Sequence, residues 1–187
     1  MPVIKYTELG WTPGQSNLPG IPRYALVISK NDIVGWPTLP TAVVAGMGTL
    51  VNYVGDFTLA ANAKFQKINL IPEKSNIDGK SQGVKPSKTF LNQFVAQYPG
   101  TQDEASAYAY QANNDDLVYL VPENNSDKFR VFGNEKFETN TEVEQKLGGA
   151  PTDEMGTTIT VTVTDIAPAL FYAGEIITED GTINPQA

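Results

Sequence analysis

The most regular stretch of the chain is 158–164, where Ile159, Val161 and Val163 alternate with Thr158, Thr160, Thr162 and Thr164. A period of two puts the aliphatic residues on one face of a strand and the threonines on the other, which predicts one buried and one wet face. Leu117-Val118-Tyr119-Leu120-Val121 is apolar at every position and reads as a central strand covered on both sides. Asn124-Asn125-Ser126-Asp127 supplies a turn into 128–133, its expected hairpin partner. Tyr24-Ala25-Leu26-Val27-Ile28 reads as a further buried strand. Weaker strand patterns cover 3–9, 49–59, 64–72 and 169–178; in the third, Ile68 and Leu70 share one face, and Lys67 and Asn69 the other. Asp78-Gly79 reads as a turn, and the tail 179–187 as polar and flexible.

One helix is predicted over 87–98. Ser87 after Pro86 suits an N-cap, Phe90, Phe94 and Tyr98 recur at i, i+4 and i+8 with Leu91 and Val95 beside them, and Pro99-Gly100 ends the run. Asp103 opens a second, shorter helical stretch ending near Asn113-Asn114. Seven to nine strands and one firm helix make an antiparallel β-sandwich or barrel with a flanking helix. A single domain is expected, with residues 1–63 giving strands and Pro/Gly-rich extended arms and 64–187 the sandwich core. Both tryptophans, Trp11 and Trp36, lie in those proline- and glycine-rich loops. Two readings fit them: plugs at the ends of the core, or anchors in a contact with another subunit.

Composition narrows the chemistry sharply. The 187 residues include no histidine and no cysteine, which removes the usual neutral-pH base, the thiolate nucleophile, disulfides and the common transition-metal ligands. Serine and threonine have no histidine to activate them, and Ser87-Lys88, being adjacent, point apart on a helix. Asp115-Asp116 reads as solvated strand entry rather than an acid/base pair, and Gly46, Gly48 and Gly55 lack the Lys-Ser/Thr of a phosphate loop. Asp153-Glu154 offers at most weak cation binding, and Asn124-Asn125-Ser126 is a turn. No enzyme, cofactor or metal site is expected. No charged segment followed by an apolar run opens the chain, and the apolar part of 33–55 is too short for the ~20 residues of a membrane span, so neither secretion nor membrane insertion is expected.

The net charge of −8 is unevenly spread. Residues 64–88 hold six lysines against Glu73 and Asp78, whereas 89–127 and 147–187 carry six acids each and no basic residue. These blocks are either ordinary solvated faces or the complementary surfaces of a subunit that meets its neighbours. With only two arginines, a nucleic-acid-gripping face is not expected. The threonine face is likewise either plain solvated surface or the lining of a wide conduit for charged polymer.

The downstream part of the chain resembles the major tail (tail tube) proteins of tailed bacteriophages. The resemblance runs over 64–180 and rests on element order and loose motifs: Gln82-Gly83, Tyr98-Pro99-Gly100-Thr101, the strand 117–122, Phe129-Arg130-Val131-Phe132-Gly133-Asn134, the run 153–164, and Pro168-Ala169-Leu170-Phe171-Tyr172-Ala173-Gly174. Residues 1–63 have no counterpart in it. It implies a virion protein, made in the host cytoplasm, whose β-sandwich forms six-fold rings that stack head to tail. Four strands from each of six subunits, at ~4.8 Å spacing and ~40° tilt, would close a barrel roughly 48 Å across. DNA would pass without specific binding, since an acidic or neutral lumen repels phosphates. Ring closure would also remove the exposed sheet edges of a lone subunit. The loops 10–22 and 35–41 would be arms reaching the next ring. A capsid decoration or other head–tail protein, and a carbohydrate- or cell-surface-binding sandwich using Trp11 and Trp36, are the rival expectations.

Overall fold

The structure is a computed structural model that describes residues 6–43 and 45–185. It is a mainly antiparallel β-sandwich with one α-helix, and its sheets do not close into a barrel. In chain order the strands are β1 (Tyr24–Ser29), β2 (Ile33–Gly35), β3 (Thr58–Leu59), β4 (Gln66–Asn69), β5 (Asn76–Gln82) and β6 (Thr89–Tyr98). The helix α1 (Asp103–Ala112) follows, then β7 (Leu117–Glu123), β8 (Ser126–Phe132), β9 (Thr139–Lys146) and β10 (Gly156–Asp165). Three short strands end the chain: β11 (Phe171–Tyr172), β12 (Ile176–Thr178) and β13 (Gly181–Ile183).

One main sheet has the order β11-β8-β7-β1-β4 and the other β5-β6-β10-β9. The core between them joins Ala25, Val27, Tyr119, Val121 and Phe132 of the first to Phe94, Ile159, Val161 and Val163 of the second. A second cluster lies on the far side of the five-stranded sheet, where Leu26, Ile28, Val118, Leu120 and Val131 are covered by Ile33, Phe57, Phe65, Tyr172 and Ile176. Ile33, Phe57, Phe65 and Ile176 thus roof one sheet, which is why β7 is apolar on both faces. Among the described residues, nothing roofs the outer face of the four-stranded sheet.

Several expectations are corrected. The run 87–98 is not a helix: Ser87 and Lys88 lie in a turn and 89–98 form β6, a central strand between β5 and β10. Residues spaced by four share a face in a strand as well as in a helix, so Phe90, Phe94 and Tyr98 satisfied both periods. The single α-helix among the described residues is α1, at the shorter stretch opened by Asp103; Asp103 and Glu104 suit its first turn electrostatically. Asp78-Gly79 lies within β5, and the turn into β6 falls at 83–88, with Gly83 at φ +81°. Of the stretch 49–59 only Thr58 and Leu59 are extended as a strand. Residues 6–9 form no strand, and the rest of the expected 3–9 strand lies outside the described residues. β1 sits between β7 and β4, so one inner strand of the five-stranded sheet comes from within 1–63. The tail pairs through β13 with β12.

Candidate assembly surface

The open face of the four-stranded sheet follows directly from the alternation in its strands. Ile159, Val161 and Val163 of β10 point into the core, so Thr158, Thr160, Thr162 and Thr164 point out. The register aligns Thr158 with Gln97 and Glu144, Thr160 with Val95 and Glu142, and Thr162 with Gln93 and Asn140. On β5, Asn76, Asp78 and Lys80 continue the rows of Val95, Gln93 and Leu91. The surface is therefore polar and mildly acidic, with Asp78, Glu142 and Glu144 outnumbering Lys80, and Leu91 and Val95 are its aliphatic members.

Side-chain hydrogen bonds lace this face together. Thr158 Oγ1 donates to Gln97 Oε1 at 2.7 Å, and Gln82 Nε2 donates to Thr164 Oγ1 at 3.1 Å. Asn76 Nδ2 bonds Asp78 at 2.7 Å and Asn140 Nδ2 bonds Glu142 at 3.0 Å. β5 and β9 are the end strands, so each leaves one row of backbone groups without a strand partner.

One face of the helix packs against the core between the sheets. Ala105 and Ala112 are buried, and the Tyr108 hydroxyl meets that of Tyr119 at 2.6 Å, which in turn meets Thr141 Oγ1 at 3.1 Å. Burial pushes the Tyr119 hydroxyl up to about 12 despite these bonds, so all three stay neutral donors and acceptors. A cavity of about 260 Å³ lies beside them, lined by Lys67, Ile68, Glu104 and Tyr108 among others.

The residues singled out from sequence separate clearly. Trp36 is half-buried, edge-on to Phe57 at 5.4 Å, and packs on the second core cluster. Trp11 is 65% exposed on an extended arm, together with Tyr6, Leu9 and Leu18. The root of that arm is held by the β7–β8 turn: Asn124 Nδ2 donates to the Pro19 carbonyl at 3.1 Å, and Asn125 Oδ1 accepts from Leu18 N at 3.1 Å. The two tryptophans therefore lie in different environments.

The acidic pairs serve local structure. Asp115 accepts from Ser29 Oγ at 3.1 Å, while Asp116 pairs with Lys30 at 2.9 Å and caps Thr139 N at 2.9 Å. Asp153 accepts from Gly149 N and Ala150 N, which lower its carboxyl below the ordinary range, and Glu154 pairs with Lys74. Ser87 and Lys88 lie exposed in the β5–β6 turn. Among the described residues, no three His, Cys, Asp or Glu side chains group to hold a metal, and no helix is long and apolar enough to cross a membrane. Asp165 escaped the sequence reading, although it shares the inward parity of Ile159, Val161 and Val163. It is 5% exposed, its Oδ1 accepts from Ile166 N at 2.7 Å, and Oδ2 is buried without a partner.

No family model, no curated protein and no solved structure matches the chain.

Proposed function

We propose that this protein is a structural subunit that assembles with copies of itself into stacked rings, as the tail tube of a tailed bacteriophage. The carrying observation is the four-stranded sheet, with one face in the core, the other polar and unroofed among the described residues, and end strands β5 and β9 that each lack a strand neighbour on the outer side. An edge strand left unpaired is a template for another chain, and ring closure turns that liability into the bond between subunits. A lumen lined by Thr, Gln and Asn with few cations would let DNA slide, because neutralising phosphates with Lys or Arg is what would make it stick. The exposed arm with Tyr6, Leu9 and Trp11 supports the same reading, since such side chains gain most by docking on a neighbour.

Negative-stain images of concentrated protein, and of the particle that contains it, are expected to show rings or tubes. A strictly monomeric species at every concentration, and in the particle, would overturn the reading. The exposed indole of Trp11 also suits stacking on a sugar. Glycan binding that disappears in a Trp11→Ala variant, without any assembly, would favour a carbohydrate-binding sandwich instead.

A further inference from the structure

We infer that β5 of one copy pairs antiparallel with β9 of the next, in the register that sets Lys80 opposite Glu142 of the neighbouring copy. This rests on the self-assembly reading and adds to it a register and an ion pair. Three observations lead there: strand direction, charge and stagger.

β5, β6, β10 and β9 pair antiparallel throughout, so β5 and β9 run in opposite directions. Joining the β5 edge of one copy to the β9 edge of the next therefore continues the sheet without a break in its alternation. The two edges also differ in charge. β5 and the turn after it carry Lys80, Lys85 and Lys88 against Asp78, whereas β9 and the turn before it carry Glu135, Glu138, Glu142 and Glu144 against Lys136 and Lys146. Among the described residues, those three lysines enter none of the ion pairs within the chain.

Stagger selects the register. Asn76, Val95, Thr160 and Glu142 lie on one row, so zero offset would set Asn76 opposite the next copy's Glu142 and the strands parallel to the ring axis. Only even offsets keep the polar face continuous across the boundary. An offset of about four residues over four strands, at ~3.3 Å rise and ~4.8 Å spacing, tilts the strands by about 35°, as closed barrels require. In one sense that offset brings Lys80 to Glu142; in the other it brings Lys80 to Asn134, beyond the end of β9. In the productive sense Asp78 meets Glu144, whose charge Lys146 already balances at 3.4 Å.

The absence of cysteine makes the test direct. Lys80→Cys combined with Glu142→Cys, both at exposed positions, is expected to give a disulfide-linked ladder of subunits when assembled protein is oxidised. Each single variant should give none. Lys80→Cys with Glu138→Cys, the zero-offset pair, should also give none. Rings in the micrographs with a ladder only from the Glu138 pair, or from neither pair, would overturn this register while self-assembly stands. Neither rings nor a ladder at any concentration would remove both. Lys80→Glu is expected to weaken association at least tenfold and Glu142→Lys in the same chain to restore it; unchanged association in Lys80→Glu would refute the ion pair.

Discussion

Asp165 shows how a single residue can carry a cost that the fold tolerates. Its side chain closes the inward row of β10, and burial raises its carboxyl above the ordinary 3.8, with Ile166 N and Asn134 pulling the other way. The folded chain therefore holds this proton to higher pH than the unfolded chain, and stability falls as pH rises from about the ordinary value through the raised one. Asp165→Asn removes the buried charge and keeps the acceptor for Ile166 N. It should raise stability at pH 7 by up to about 1 kcal/mol, with the advantage vanishing below roughly pH 4. Thermal melts at the two pH values check this, and an equal loss at both would contradict it. Asn92 Oδ1 and Thr139 Oγ1, also buried without partners, flank Val163 in one row nearby, so this end of the core is a polar layer. Gly79 belongs to the same region. A Cβ there would lie 3.0 Å from Asn92 Oδ1 and 3.3 Å from Pro168, so Gly79→Ala should cost about 1–3 kcal/mol in a denaturant titration.

At the scale of elements, β6 is where local pattern and final structure part. In the strand, Phe94 packs against Tyr119 and Phe132 at ring distances of 6.1 and 5.5 Å, whereas Leu91 and Val95 face outward. A helical stripe would have buried Phe94, Leu91 and Val95 together. Phe94→Ala should therefore cost about 3–5 kcal/mol, while Val95→Thr should stay within about 0.5 kcal/mol. Equilibrium unfolding of the two variants separates these costs; a large loss from Val95→Thr would contradict the strand geometry. The long alternating run of β10 was legible because a strict period of two over many residues fits only a strand. β7 was legible because an apolar run too short for a buried helix needs cover on both faces. β5 was not: its Asp-Gly pair is the usual hairpin signal, yet Gly79 is there to leave room for Asn92 and Pro168.

Across the whole molecule, one sheet is buried on both faces and the other on one, and that asymmetry defines the candidate site. The threonine face was legible from sequence; its extension into a four-stranded surface required strands far apart in the chain to be placed in order. The separation of Trp36 from Trp11 likewise depended on Phe57 reaching across to the first and nothing comparable burying the second. Because Lys80 of β5 and the glutamates of β9 are exposed, their attraction is screened by ions. Association followed by sedimentation should weaken as salt rises from low to molar concentrations, and an unchanged size distribution would remove charge from the interface.

The sequence by itself determined that this chain is β-rich, that β10 has one wet face, that β7 is central, and that histidine and thiol chemistry are absent. Those properties follow from composition and from side-chain periods that are strictly local. Only the tertiary structure decided that residues 89–98 are a strand, that β1 joins the core sheet, and that β5 and β9 end the second sheet. Such choices turn on which apolar faces find each other across the fold, and two periods compatible with one local pattern are separated only by that packing.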